Sequence, residues 1–344
     1  EKRKRYEKVL VSYFKTNTFS YRLRFSFCHV FIGIQTLHTI TNGLFAIDHG
    51  SSIPMEEIEQ RMSQRLKQVA ETCAKYKIRP DSVNSADYAI PHPPAPQYSV
   101  LYYQFQRKKT VYCPIYKAAS TSMLHWLLSM KHINAEYEMK TRHRQISEVA
   151  RQHYPSIDYP AAAELLKEAK KWMVVRHPFE RILSAYRDKL ENSTIGREHG
   201  TLHFYEKYGR KIVAKYRKAT DNQDETRIEP TFAEFVSYLI DTDLTLYADD
   251  HWIPYYLFCT PCLINYDVII QFETLQEDVQ LLLNLIGEKR GPSWKHSASV
   301  GRSKTELIRS YYGQLSRETI GKLHDKYRID FELFGYSIDG YLSI

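Results

Sequence analysis

Two segments indicate the fold of this chain: Cys113-Pro-Ile-Tyr-Lys-Ala-Ala-Ser-Thr-Ser122 and Val175-Arg-His-Pro-Phe-Glu-Arg-Ile-Leu-Ser184. Each segment reads as a hydrophobic strand that runs into the N-terminus of a helix, a local geometry that binds phosphate groups. In the first, residues 110–115 predict the strand, Lys117 lies in the turn, and small residues open a helix that continues through Leu128. Small side chains at this position let an anion approach the backbone N–H groups.

The second segment repeats this arrangement. Residues 172–175 predict a strand, Arg176 lies at its end, and Pro178 suits the first turn of a helix because its missing N–H is not needed there. Ser184 lies off the apolar stripe of this helix, where it can share an anion with Arg176. The stripe comprises Phe179, Ile182, Leu183, Tyr186 and Leu190.

These units predict an α/β protein with a central, mainly parallel sheet flanked by helices, in which ligands bind at the carboxyl ends of the strands. The sequence contains no Gly-x-x-x-x-Gly-Lys-Ser/Thr motif, the usual cradle of a magnesium-bound nucleoside triphosphate, so a different phosphate ligand is indicated. The formal net charge of +8 favours polyanionic partners. We do not expect nucleic acid, because no recognised binding motif accompanies this charge.

The N-terminal part predicts a membrane anchor. Residues 1–24 are basic, and residues 25–47 carry no Asp, Glu, Lys or Arg over a length that can span a bilayer. The basic flank predicts a cytosolic tail and single-pass type II topology, with an interfacial or buried segment as the alternative. Residues 48–100 read as a stem and connector that includes a helix at 52–76, and residues 101–344 read as the main domain. The stem helix either packs on that domain or forms a dimerising coil.

The cysteine pattern favours disulfides. Cys28 falls in the candidate span, and the remaining Cys73, Cys113, Cys259 and Cys262 can form two disulfides. The pair at 259 and 262 also suits half of a zinc site or a redox pair, but no second ligand pair follows at suitable spacing, so we expect no metal. One glycosylation sequon, at residues 192–194, agrees with a luminal location.

The chain resembles a known family. The two opening segments, and further blocks at 250–252, 259–262, 266–275 and 327–336, are similar to those of the Golgi carbohydrate sulfotransferases, which include the chondroitin and dermatan 4-O-sulfotransferases and the HNK-1 sulfotransferase. The resemblance implies a P-loop-like sulfotransferase fold, the donor PAPS (3'-phosphoadenosine-5'-phosphosulfate), a Golgi membrane location with the catalytic domain in the lumen, and a glycan acceptor. The leading acceptor is the 4-hydroxyl of N-acetylgalactosamine in a chondroitin-type glycosaminoglycan. Dermatan or a glucuronyl-capped glycan is the alternative.

The resemblance also implies which residues bind the donor. Arg176 and Ser184 are expected to grip the 3'-phosphate, and Arg302 and Lys304 lie in a basic loop that either closes over the nucleotide or is merely solvated. The loop around the 5'-phosphosulfate comprises Tyr116, Lys117, Ala118, Ala119, Ser120, Thr121 and Ser122.

Sulfuryl transfer requires a cation and a base. Charge grows on the leaving oxygen, and Lys117 is the fixed cation expected to meet it. The attacking hydroxyl must lose its proton to a general base. His251 follows two aspartates that can orient its ring, whereas His143 lies between two arginines that disfavour its protonated form. We expect one of these two histidines to be the base.

Two other classes of protein fit the sequence less well. A nucleotide kinase of related architecture predicts a Walker A loop, which the sequence lacks. A glycan-binding protein without catalysis is disfavoured because Lys117, Arg176 and Ser184 are all present.

Overall fold

The computed structural model describes residues 53–79, 91, 93, 95–105, 108–198, 200–217, 227–294 and 303–344. Ser51–Ile344 form one compact unit. The expected tail at 1–24, the expected span at 25–47 and the candidate donor residue Arg302 lie outside the described residues. Within the described part of the chain, no helix combines the length and the apolar character needed to cross a membrane.

A four-stranded sheet lies at the centre of the described fold, in the order β1-β2-β3-β4. Strand β1 (Tyr102–Gln104) runs antiparallel to β2 (Thr110–Cys113), and β3 (Lys170–Val175) and β4 (Val268–Gln271) continue the sheet in parallel. The prediction of a mainly parallel sheet is therefore confirmed. Strand β2 ends before the expected residue 115 because Pro114 has no N–H to extend the ladder.

Helices cover the sheet and extend beyond it. The first group is α1 (Met55–Lys75), α2 (Ser120–Met130), α3 (Ala135–Arg142), α4 (Ile146–His153), α5 (Ala161–Glu168), α6 (Pro178–Lys189), α7 (Ser193–Glu198), α8 (Leu202–Phe204) and α9 (Arg210–Tyr216). The second group is α10 (Phe232–Asp241), α11 (Leu244–Tyr247), α12 (Tyr255–Phe258), α13 (Leu275–Ile286), α14 (Lys304–Tyr312), α15 (Arg317–Phe334) and α16 (Asp339–Leu342). Short 3₁₀ turns at Tyr98–Val100 and Phe272–Thr274 and a π-helical turn at Tyr205–Gly209 complete the described elements.

The core has two parts. One surrounds the sheet, where the last four residues of β3 are buried, as expected for a strand covered on both faces. The other lies between α6, α10 and α15. All five residues of the apolar stripe predicted for α6 are buried in this second part, and Pro178 occupies the first turn of the helix as predicted. The stripe therefore fixes which face of α6 remains available for ligands.

Helix α1 confirms the helix expected within 52–76 and belongs to the same compact unit as the sheet. Its Arg61 and Arg65 donate to the fully buried carboxylate of Asp278 on α13, at 2.9 and 2.5 Å. Since a buried carboxylate needs such partners, α1 packs on the domain, which is the first of the two alternatives considered for the stem. A homodimer through the stem stays a prediction, and it would need a face of α1 other than this buried one.

Two disulfides join distant parts of the chain. Cys73 on α1 pairs with Cys262, and Cys113 at the end of β2 pairs with Cys259. The expectation of two disulfides is confirmed, and the structure supplies the pairing that the sequence left open. Both bonds reach the segment that follows α12, so this segment is held against both α1 and the sheet.

Candidate active site

A cleft of about 720 Å³ opens at the carboxyl ends of the three parallel strands. The residues that follow β2, β3 and β4 place Lys117, Arg176 and Phe272 in its wall. Ser184 and His251 line it as well. From the expected loop the cleft is lined by Tyr116, Lys117, Ala119, Ser120, Thr121 and Ser122. Ala118 instead is fully buried, and its small side chain packs in the core below the loop.

The loop between β2 and α2 has an unusual backbone. Lys117 and Ala119 have φ angles of 72° and 59°, in the left-handed region that residues with a Cβ seldom adopt. These two turns let α2 begin at Ser120, at the edge of the cleft. The first N–H groups of a helix have no acceptors within it, so the start of α2 offers donors to an anion.

Lys117 lies between charges of both signs. Its Nζ is 3.1 Å from Oδ2 of Asp188, and the same oxygen is 3.1 Å from Nζ of Lys189. Burial lowers the pKa of Lys117, and the carboxylate of Asp188 opposes this effect. Asp188 and Lys189 also line the cleft. The loop before α2 and the end of α6 therefore each present one ammonium group to the same carboxylate, so these three groups keep a net positive charge with which to meet an anion.

Arg176 is held by contacts on several sides. Its guanidinium donates to Oε2 of Glu180 at 3.3 Å and to the carbonyl of Lys117 at 3.4 Å, and it lies over the ring of Phe272. The other oxygen of Glu180 accepts from Nζ of Lys304 at 2.8 Å. Lys304 is thus anchored to the carboxylate that holds Arg176, although its own side chain is not among those that line the cleft.

His251 forms a dyad with Asp249. Its Nδ1 is 2.7 Å from Oδ1 of Asp249, and its ring stacks on Tyr116 with a centroid distance of 4.8 Å. Burial lowers the pKa of His251, and the carboxylate opposes this. For Asp249, burial acts to raise the pKa, but the bonds from His251 and Tyr208 outweigh it and the net shift is downward. The carboxylate therefore accepts from Nδ1–H, which leaves Nε2 of a neutral ring as a proton acceptor.

The structure does not bring His143 to the cleft. His143 is the exposed C-cap of α3, with a φ of 50°, and it is not among the residues that line the cavity. The sequence favoured neither histidine, but the fold separates them. His251 is partly buried in the cleft that Lys117 and Lys189 also line, whereas His143 is exposed on the surface.

A buried arginine that sequence reasoning did not assign joins the two sides of the site. Arg181 is 1% exposed, and its guanidinium donates to the carbonyls of Tyr116, Asp250 and Ile253 at 3.0, 3.0 and 2.6 Å. It therefore ties the loop that carries Lys117 to the segment that carries His251.

The charged partners of the site were also missed. Asp188 and Glu180 come from α6, at four-residue intervals on either side of Ser184, so their shared helix face was a usable signal. The sequence predicts for Asp249 only that it can orient the ring of His251. No sequence signal connected Asp188 with Lys117, because that pairing depends on how α6 packs beside the loop.

Two smaller cavities adjoin the cleft on different sides. One, of about 390 Å³, shares Ala119, Ser122 and Phe272 with it and adds Leu275 and Trp294. The other, of about 570 Å³, shares Tyr116, Ser147, Glu148 and Asp250 with it. The cleft is therefore extended by an aromatic cavity beyond Arg176 and by a side cavity beyond His251, which polar and apolar side chains line together.

Comparison with known proteins identifies the family. A model of the sulfotransferase family matches residues 102–337. The chain is 29% identical to carbohydrate sulfotransferase 8 of Mus musculus over 289 residues, which cover 81% of this chain and 64% of that protein. It is 30% identical to carbohydrate sulfotransferase 11 of Danio rerio over 289 residues, covering 81% of this chain and 77% of that protein.

The match to carbohydrate sulfotransferase 11 of Rattus norvegicus is 35% over 188 residues, covering 54% of this chain and 52% of that protein. The matched region thus spans less than two thirds of the mouse and rat relatives. No solved structure matches the chain. The strand–loop–helix cleft and these sequence matches agree: the chain belongs to the sulfotransferase family, among its carbohydrate sulfotransferases.

Proposed function

We propose that this protein transfers a sulfuryl group from PAPS to a sugar hydroxyl of a glycan. The observation that carries the proposal is the placement of a lysine and a histidine–aspartate dyad in one cleft at the carboxyl ends of parallel strands. The donor supplies an activated sulfur–oxygen bond. Everything else that the reaction needs, a cation for the leaving oxygen and a base for the attacking one, is available from this chain.

The shape of the cleft supports one orientation of the donor. Arg176 lies against Phe272, which borders the aromatic cavity with Trp294, so Arg176 and Ser184 bind the 3'-phosphate while the adenine occupies that cavity. The 5'-phosphosulfate then lies at the start of α2, beside Lys117. Lys189 adds a second cation on the same side, and Lys304 approaches Arg176 through Glu180.

The residues on the opposite side suit proton transfer. Nε2 of His251 accepts the proton of the sugar hydroxyl. The hydroxyl oxygen then forms a bond to sulfur as the bond from sulfur to the 5'-phosphate oxygen breaks. Lys117 stabilises the electron pair that remains on that phosphate oxygen. Asp249 keeps the proton of His251 on Nδ1, so Nε2 is free to act. Burial supports this role because it lowers the pKa of His251 and keeps the ring neutral.

The acceptor and the location are the finer parts of the proposal. The acceptor that we favour is the 4-hydroxyl of N-acetylgalactosamine in a chondroitin-type chain, with dermatan or a glucuronyl-capped glycan as alternatives. We propose a Golgi membrane location, with the domain in the lumen. Two disulfides support an oxidising compartment. The exposed Asn192 of the sequon agrees with it.

The test is transfer of labelled sulfate from PAPS by the full chain to desulfated chondroitin, dermatan, heparosan and glucuronyl-capped glycans. We expect transfer to at least one acceptor, with kcat about 10²- to 10³-fold lower for Lys117→Ala, the usual cost of removing one transition-state donor. Lys67→Ala, which removes an exposed lysine on α1, is the matched control. Failure to bind PAPS, or equal rates for both variants, would contradict the proposal.

A further inference from the structure

The side cavity next to the cleft ends at Gln152, and two arginines outside its lining contact that residue. This cavity, of about 570 Å³, begins at Tyr116 and Asp250, next to His251, and extends to Arg151 and Gln152 on α4. Arg151 is already engaged: its guanidinium donates to the carbonyls of Val100 and Leu101 and lies over the ring of Tyr102. Arg151 therefore forms part of the cavity wall, and Gln152 lies at the end of the cavity farther from His251.

Two arginines converge on Gln152. Its Oε1 accepts from NH1 of Arg144 at 2.7 Å and from NH1 of Arg142 at 3.3 Å. Arg142 also pairs with Glu138 at 3.1 Å. Among the described residues, no carboxylate lies within ion-pair distance of Arg144, which is exposed. One neutral amide oxygen thus accepts from two cations, and among the described residues only Arg142 of the two has a carboxylate partner.

This arrangement is suited to an added anion. Two guanidinium groups held at one point repel each other, and a neutral oxygen relieves that repulsion less than a charge does. A carboxylate or sulfate between them gains charge-assisted hydrogen bonds from planar, fork-shaped donors. Because α3 ends at Arg142 and α4 begins at Ile146, both arginines lie on or beside a short turn fixed at each end by a helix.

We propose that Arg142 and Arg144, held by Gln152, bind an anionic group of the acceptor chain while a neighbouring sugar presents its hydroxyl to His251. The inference rests on the proposed function and adds to it the residues that bind the acidic groups of the acceptor, a chain that passes along the side cavity to Gln152. The aromatic cavity with Trp294 is on the other side of the cleft and suits the donor, so the two substrates enter from different sides.

The test measures steady-state kinetics of the full chain with desulfated chondroitin and with the same polymer after reduction of its carboxyl groups. We expect Arg142→Ala/Arg144→Ala to raise the KM for chondroitin about tenfold, the effect of losing about 1.4 kcal/mol of binding, with the KM for PAPS unchanged. The reduced polymer should show at most a twofold difference between these proteins, because the contacts removed are those to carboxylates. Lys67→Ala, which removes an exposed positive charge on α1, is the control.

A second variant separates binding from folding. Gln152→Glu places a carboxylate between the two arginines, so it should keep or raise the melting temperature and still raise the KM for chondroitin about as much as the double variant does. A purely structural role for this cluster predicts no loss of acceptor binding for Gln152→Glu. An unchanged KM in both variants would overturn the inference.

Binding measured without turnover distinguishes this inference from the proposed function. If the wild-type chain transfers no sulfate to any acceptor, the proposed function fails, and titration of the chain with a chondroitin oligosaccharide still tests the site. Binding that is about tenfold weaker in the double variant and unchanged in Lys67→Ala supports it. Equal binding by all three proteins refutes it.

Discussion

Replacing Asp249 by Asn tests the dyad most directly, because the two side chains have the same shape. In the structure Oδ1 of Asp249 lies 2.7 Å from Nδ1 of His251, and Oδ2 accepts from Tyr208 at 3.1 Å. Oδ1 also accepts from the backbone N–H of His251 at 3.1 Å, so an amide keeps its oxygen toward His251 and turns its NH₂ group toward the hydroxyl of Tyr208. Nδ1–H then donates to a neutral oxygen, and the imidazolium that forms when Nε2 takes the proton loses a stabilising charge.

The expected loss follows from that change of charge. A positioned general base contributes about 10²- to 10⁴-fold to the rate, so the plateau value of kcat for Asp249→Asn should be lower than that of wild type by up to this factor. The pH dependence of kcat gives a second test of the role of Asp249. The base works only when neutral, so kcat rises as pH passes upward through the pKa of His251. Asp249 raises this pKa against the larger effect of burial, so its loss should move the acid limb to lower pH.

The assay is kcat with saturating PAPS and acceptor from about pH 5 to pH 9, spanning the ordinary pKa of histidine. Asp243→Asn is the control, because Asp243 is an exposed helix cap that does not line the cleft, and Asn caps a helix equally well. A plateau within twofold of wild type would refute the role given to Asp249, as would an acid limb that moves to higher pH.

Four further predictions concern charge, folding and metal. Asp188→Asn should move the fall of kcat at high pH toward lower pH, because Asp188 opposes the lowering of the pKa of Lys117 by burial; a pH profile of kcat checks this. Cys113→Ser should reduce the free energy of unfolding by about 2–5 kcal/mol in urea titrations, because it opens a large loop. Burial raises the pKa of Asp330 to about 7, so its contribution to stability is full below the unfolded value near 4 and is lost as pH rises toward 7. The unfolding free energy of wild type minus that of Asp330→Asn should therefore decline by up to about 4 kcal/mol over this interval. Chelation with EDTA should leave sulfate transfer unchanged, and activity that returns only with added metal would contradict the metal-free mechanism.

The local features of the fold could be predicted from the sequence. The stripe on α6, the turn before α2 and the position of Pro178 depend on spacing within one segment, so periodicity and helix-start signals revealed them. The predicted strand β2 is two residues too long, because the apolar sequence continues past Pro114 while the hydrogen bonds to the neighbouring strands do not.

The pairings within the site could not be predicted in this way. Lys117 meets Asp188, and Arg181 reaches Asp250, only because segments far apart in sequence pack together. The choice between His143 and His251 failed for the same reason: both have charged neighbours in sequence, and only the fold shows which histidine is near Lys117. The disulfide pairing likewise needed the positions of α1 and β2.

The bond between Cys113 and Cys259 gives the chain a short covalent route across the cleft. Four positions separate Cys113 from Lys117, and eight separate Cys259 from His251, whereas the bond itself spans 146 positions of sequence. When the surrounding helices loosen, the cation and the base are still tethered at a high effective concentration, as two ends of a small ring are. Reactive geometry can therefore be regained after a local opening without a new search through the long intervening chain.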